Sequence, residues 1–241
     1  MGDFTFLSLA GVIMSLEIRN ILNGFAQFVF LAFLVTLPII TLSIDFIYLK
    51  QGLSENSMTE YLQEILLLLT TLSFAYTAYK DPSTRHFCVL LTGFFACMFI
   101  RELDGLFDLI FHGFWVIPAT LVALFSIIFA LRNKQQALST FSCFVQSRHF
   151  ITLNLGMALL LVFSRLFGIG ELWEGILGSN YDRIVKRVAE EGLEVLGYTI
   201  IFYSAMGYLF SFLAWSKQAE GDNYSDFIEQ RNLSLNQRSS R

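Results

Sequence analysis

Along this chain six apolar stretches alternate with short polar connections. Residues 24–44 carry no charge over 21 positions, and residues 113–131 and 195–216 are equally clean. Each is long enough to cross a hydrocarbon core as a helix, for which about 20 apolar residues suffice. Three further stretches, residues 60–79, 86–107 and 149–168, reach that length only when their polar ends are counted. The runs are continuous rather than alternating over about ten residues, so the pattern predicts helices and not a barrel. The expected fold is all-α: a polytopic membrane protein whose six transmembrane helices form a bundle over residues 24–216.

The two ends read differently from the middle. Between Phe4 and Leu16 the chain is apolar but too short to span, and Glu17, Arg19 and Asn20 interrupt it. Residues 1–23 therefore predict an N-terminal interfacial helix. After Lys217 the apolar pattern stops, and Asn, Gln, Ser and Arg dominate residues 232–241. Residues 217–241 predict a disordered polar tail. Composition agrees with a membrane chain: 55% of the 241 residues are hydrophobic and only 15% charged, with a mean hydropathy of +0.58, more apolar than a soluble domain of this length.

Basic residues beside the spans set the expected orientation. Arg19, Lys80, Arg85, Arg132, Lys134, Arg148 and Lys217 fall on one side, against Lys50, Arg183, Lys186 and Arg187 on the other. By the positive-inside rule both termini face the cytoplasm. The basic residues are otherwise scattered and the net charge is −4, so nothing points to nucleic acid. The three cysteines, Cys88, Cys97 and Cys143, show no paired spacing and read as small core hydrophobes.

Against that background the intruding charges stand out, because ionisable groups inside a membrane are costly and usually functional. Glu60, Glu64, Arg101, Glu102, Asp104, Asp108, Arg165, Glu190, Glu191 and Glu194 all fall toward the extracytoplasmic end of their spans. At a rise of about 1.5 Å per residue, Glu64, Arg101 and Arg165 lie about 22 to 24 Å above the cytoplasmic ends of their helices. Asp45 and Glu194 lie about 31 Å up, with Tyr198 one turn below Glu194. Spacings of three and four residues put Glu60 with Glu64, Arg101 with Asp104 or Gly105 and Asp108, and Arg187 with Glu190 or Glu191, Glu194 and Tyr198 on common faces. Turning such a face toward lipid would cost roughly 2.5 to 3.5 kcal/mol per group, so each is expected to face inward.

The expected function is an extracytoplasmic carboxylate and arginine pocket that binds a cation, a proton or a small polar ligand, for transport, sensing or ligand binding. A second reading is a metal-dependent enzyme acting on a lipid or other membrane substrate. There Glu60, Glu64, His112, Glu190, Glu191 and Glu194 would hold a divalent metal ion, the cofactor that this donor set suits. A third is a structural or assembly subunit whose charged stripes only fix helix pairing. Arg101 and Arg165, at equal depth, could also clamp a phosphate or carboxylate headgroup. The glycine-bearing segment from Gly168 to Gly178 reads either as a cover over the acidic layer or as an ordinary surface loop.

Several chemistries lack their residues. The Glu-x-x-His pairs of di-iron bundles and H-E-x-x-H are absent. Glu190-Glu191 looks like the start of the E-E-x-x-x-R motif of CAAX-processing intramembrane proteases, but the next charge is Glu194 and no downstream histidine motif follows. No phosphate-binding glycine loop and no G-x-S-x-G occurs. No family is claimed on these residues.

Overall fold

The computed structural model describes residues 3–50 and 57–239, and every regular element among them is helical. The chain runs α1 (Asp3–Ser43), a π-helical turn (Ile44–Tyr48), α2 (Met58–Lys80), α3 (Arg85–Glu102) and a short α4 (Asp104–Asp108). It continues through α5 (Val116–Arg132), α6 (Lys134–Val145), α7 (Arg148–Ala158), a second π-helical turn (Leu159–Phe163), α8 (Ser164–Phe167), α9 (Gly170–Leu177) and α10 (Arg183–Ser239).

Among the described residues three helical stretches are long and apolar enough to cross a membrane: Glu17–Tyr48, Arg148–Phe167 and Arg183–Ser216. A fourth results if α5 and α6, bent by 100° at their junction, act as one span. The expected six is thus met in part. α3 has 18 residues but includes Arg85, Arg101 and Glu102, and α5 has 17. α2 is 23 residues long, but its inward stripe is interleaved with Thr and Ser. Nor, among the described residues, does a break set off residues 3–23 as a separate helix. α1 is a single helix through Glu17, Arg19 and Asn20, none of which stops a helix. At the other end the α10 backbone stays helical to Ser239, through the stretch whose composition predicts disorder.

α2 lies between α3 and α10, and α5 packs on the far side of α3. Its buried positions Thr59, Gln63, Leu66, Leu67, Thr70, Ser73, Phe74, Thr77 and Ala78 recur at helical spacing and make one inward face. The hydroxyls on that face bond back to their own helix, Thr70 to Leu66 O at 2.8 Å and Thr77 to Ser73 O at 3.0 Å, so burial leaves them satisfied. Phe74 stacks on Phe95 of α3 with ring centroids 5.6 Å apart. Nearer the basic end, Phe87, Phe144, Phe150 and Tyr208 close the core as a chain of tilted and edge-on ring contacts. α6 is held there by Gln136 Nε2, which donates to Pro82 O and Ser83 O at 2.7 Å each.

The crossing of α10 with α7 and the π-helical turn after it uses the small-residue device common between membrane helices. A Cβ on Gly197 would lie 2.9 Å from Leu160 Cβ and 3.2 Å from Gly156 O, and one on Gly156 would lie 2.8 Å from Ile201 Cγ1. The backbones meet where no side chain fits. Gly93 of α3 likewise sits directly against Ser126 of α5. These contacts hold α7 and α8 along α10, and α5 along α3. Among the described residues neither α7 nor α8 packs along α3 or α5.

Candidate functional site

Where the helix ends converge opposite the basic side, the described residues enclose a cavity of about 730 Å³. Its charged lining comes from five helices: Glu60 and Glu64 from α2, Arg101 and Glu102 from α3, Asp104 from α4, Arg165 from α8, and Arg187, Glu190, Glu191 and Glu194 from α10. Helix direction accounts for much of this placement. α2 and α10 start here, and a helix N-terminus favours acids; α3 and α8 end here, and a C-terminus favours cations. Glu60 stands in the first turn of α2, and Arg101 and Arg165 stand in the last turns of α3 and α8. Ser57 caps α2 by accepting from Glu60 N at 3.2 Å.

Two networks join the helices at this level. Arg165 forks, with Nη1 2.8 Å from Glu190 Oε1 and Nη2 3.0 Å from Glu194 Oε1, tying α8 to α10. Glu102 Oε1 accepts from Arg101 Nη1 and from the Tyr198 hydroxyl, both at 2.7 Å, tying α3 to α10. Gln63 Nε2 donates to Glu191 Oε2 at 3.0 Å, linking α2 to α10. Glu194 and Tyr198 are buried, whereas Arg101 and Arg165 keep about half of their side-chain surface exposed, at 49% and 47%. Seven carboxylates against three guanidiniums leave the lining with a formal excess of four negative charges.

Of the residues expected at the site, Glu60, Glu64, Arg101, Glu102, Asp104, Arg165, Glu190, Glu191 and Glu194 line the cavity, and Tyr198 reaches it through Glu102. Asp108 does not. Its carboxylate turns to the exposed α4–α5 connection, accepting from Gly113 N at 2.8 Å and meeting His112 Nδ1 at 2.8 Å. Gly113 adopts a φ of +82°, a conformation suited to glycine. The Gly113 amide, then His112, hold the Asp108 carboxyl below its ordinary range.

The expected metal set of Glu60, Glu64, His112, Glu190, Glu191 and Glu194 is not assembled. His112 is exposed and bound to Asp108, away from the acids, and among the described residues no three His, Cys, Asp or Glu side chains converge as metal ligands. The reason is its place in the chain: His112 lies in the turn between α4 and α5, where its ring meets Asp108.

Asp45, expected to add acid above the layer, instead caps α2. It is fully buried and accepts from Met58 N at 2.7 Å, Thr59 N at 3.0 Å and Thr59 Oγ1 at 2.6 Å. Nor is the Gly168–Gly178 segment a cover. It folds largely as α9, with Trp173 Nε1 donating to Phe167 O at 2.7 Å, and contributes nothing to the cavity lining.

Sequence reasoning did not select Gln63, Tyr61 or the apolar wall of Leu103, Leu106 and Leu109. Gln63 carried a usable signal, since it follows Glu60 by three residues and shares its face. Comparison with known protein families, curated proteins and solved structures finds no match for this chain.

Proposed function

We propose that the protein is a six-span integral membrane protein with both termini in the cytoplasm, and that its acid-rich extracytoplasmic cavity binds a cation, a proton or a small polar ligand. α2, α3 and α5 supply the additional spans, because each packs in sequence with a neighbour already long enough to cross, or with one another. Burying ionisable groups at these levels is costly unless each is paired, solvated or bound.

The observation that carries the functional reading is the charge imbalance of the lining. Arg101 and Arg165 are engaged by Glu102, Glu190 and Glu194. The Arg165 pairs also join α8 to α10, which supports a structural role for them. Glu64, Asp104 and Glu191 enter none of the described ion pairs and face the same space. Negative charge focused in a low-dielectric cleft concentrates cations.

The test is a titration of the purified full chain in detergent with NaCl, MgCl₂, CaCl₂ and methylammonium chloride, together with a pH series, reading thermal stability. A bound cation raises stability in proportion to the logarithm of its concentration above Kd. Stabilisation by one cation or by protons that follows this logarithmic dependence, with the apparent Kd raised about tenfold or more in the combined Glu64→Gln and Asp104→Asn variant, is the expected result. No response to any cation or to pH, or a response identical in the variant, removes the proposal.

A further inference from the structure

Three features of the cavity narrow the class of ligand beyond a generic cation. The first is its side opening. α8, which carries Arg165, packs on α10, while α3, which carries Arg101, packs on α2 and α5; α10 and α2 pack on each other, but among the described residues α8 and α3 do not. A slot is therefore left between α3 and α8, the helices that carry the two arginines.

The second is the rim. Leu106 and Leu109 line the cavity and are 61% and 81% exposed, and Ile110 and Phe111 continue the apolar surface at 63% and 52%. An apolar edge beside a charged cavity at the end of a membrane bundle is suited to an acyl chain, as in interfacial segments that lie in the headgroup region.

The third is an oxygen that is ion-paired but has no aligned hydrogen-bond donor. Glu194 is buried, and its Oε1 has no hydrogen-bond partner among the described residues. Arg165 Nη2 lies 3.0 Å away, near enough for charge attraction but not aligned as a donor. Buried acceptors are rarely left in this state, and in a cavity with excess negative charge the fitting donor is cationic and carries N–H groups.

Resting on the cation-binding reading above, we infer that the ligand is a lipid with a primary ammonium headgroup, its ammonium donating to Glu194 and Glu191 inside the cavity and its chains leaving through the slot over Leu106 and Leu109. The half-exposed guanidiniums of Arg101 and Arg165 flank the path that a phosphate linking headgroup to chains would take. A trimethylammonium headgroup has the same charge but no N–H to donate, so it should be discriminated against.

The experiment uses the full chain in mild detergent with equimolar phosphatidylethanolamine and phosphatidylcholine of identical acyl chains, and reads retained lipid by native mass spectrometry. The expected result is retention of the ethanolamine lipid over the choline lipid by about tenfold, the scale of one charge-assisted hydrogen bond, with the preference falling toward parity in Glu194→Gln. Because Glu194 also pairs with Arg165, the exposed-rim variant Leu106→Ser with Leu109→Ser provides a second arm. It should lower retention of the ethanolamine lipid while leaving binding of soluble phosphoethanolamine unchanged. Equal retention of the two lipids overturns the inference. So does displacement of the lipid by soluble phosphoethanolamine at equal concentration, which would identify a water-borne amine and leave the cation reading standing. If neither lipid is retained but NaCl or MgCl₂ still stabilises the protein, only the lipid inference falls; if both responses are missing, both readings fall.

Discussion

Replacing Arg165 with Gln tests whether the charged layer is coupled across helices. The guanidinium sits 2.8 Å from Glu190 and 3.0 Å from Glu194, whose side chains are 21% and 7% exposed. Removing one partner of a fully buried ion pair costs about 3 to 5 kcal/mol, because the other charge stays buried without compensation. A fully exposed pair is worth about 0 to 1 kcal/mol. Arg165 is 47% exposed while Glu194 is nearly covered, so the pair falls between these limits and Arg165→Gln should destabilise by about 2 to 3 kcal/mol. Glu194→Gln alone removes the charge that is hardest to bury and keeps an acceptor, and should cost about 1 kcal/mol or less.

The two changes together should cost clearly less than their sum, with a coupling of about 1.5 to 2 kcal/mol. Unfolding of each variant in mixed micelles of rising SDS fraction, followed by fluorescence of Trp115, Trp173 and Trp215, measures the cycle. If Arg165→Gln lies within about 0.5 kcal/mol of the parent, or if the two costs simply add, the layer is not an interacting network and the argument from its charge balance is refuted.

Other outcomes follow from single contacts. Gly197→Ala places a methyl group 2.9 Å from Leu160 Cβ, and overpacking of this kind should destabilise by about 1 to 3 kcal/mol in the same assay, whereas Gly175→Ala, with open space around it, should not. Asp45→Ala removes the acceptor for two backbone amides and a hydroxyl at the start of α2. It should cost about 1 to 3 kcal/mol and speed hydrogen exchange at Met58 and Thr59. Asp108 has a carboxyl pKa held below its ordinary value by Gly113 and His112, so its contribution is present above the unfolded-state pKa and lost as pH falls through the folded one. The Gly113 amide resonance should accordingly shift only below the usual carboxylate range, and Asp108→Asn should abolish that titration.

Helix identity and the ends at which charge accumulates were legible in the chain because both depend on local transfer free energy. A run without charge prefers hydrocarbon wherever it is placed, and residues three or four apart share a face in any helix. That was enough to gather Glu60, Glu64, Arg101, Glu102, Arg165, Glu190, Glu191 and Glu194 at one level. It was not enough to say which acid meets which arginine. Arg165 pairs with Glu190 and Glu194 because Gly156 and Gly197 let two backbones approach. Asp108 and His112 meet each other at the Gly113 turn instead of lining the cavity, and Asp45 caps a neighbouring helix rather than joining the acids. Depth along a helix axis is a one-dimensional property that spacing encodes. Rotation about that axis, and the choice of neighbour, are set by interhelical packing among residues far apart in the chain, and only the tertiary structure decides them.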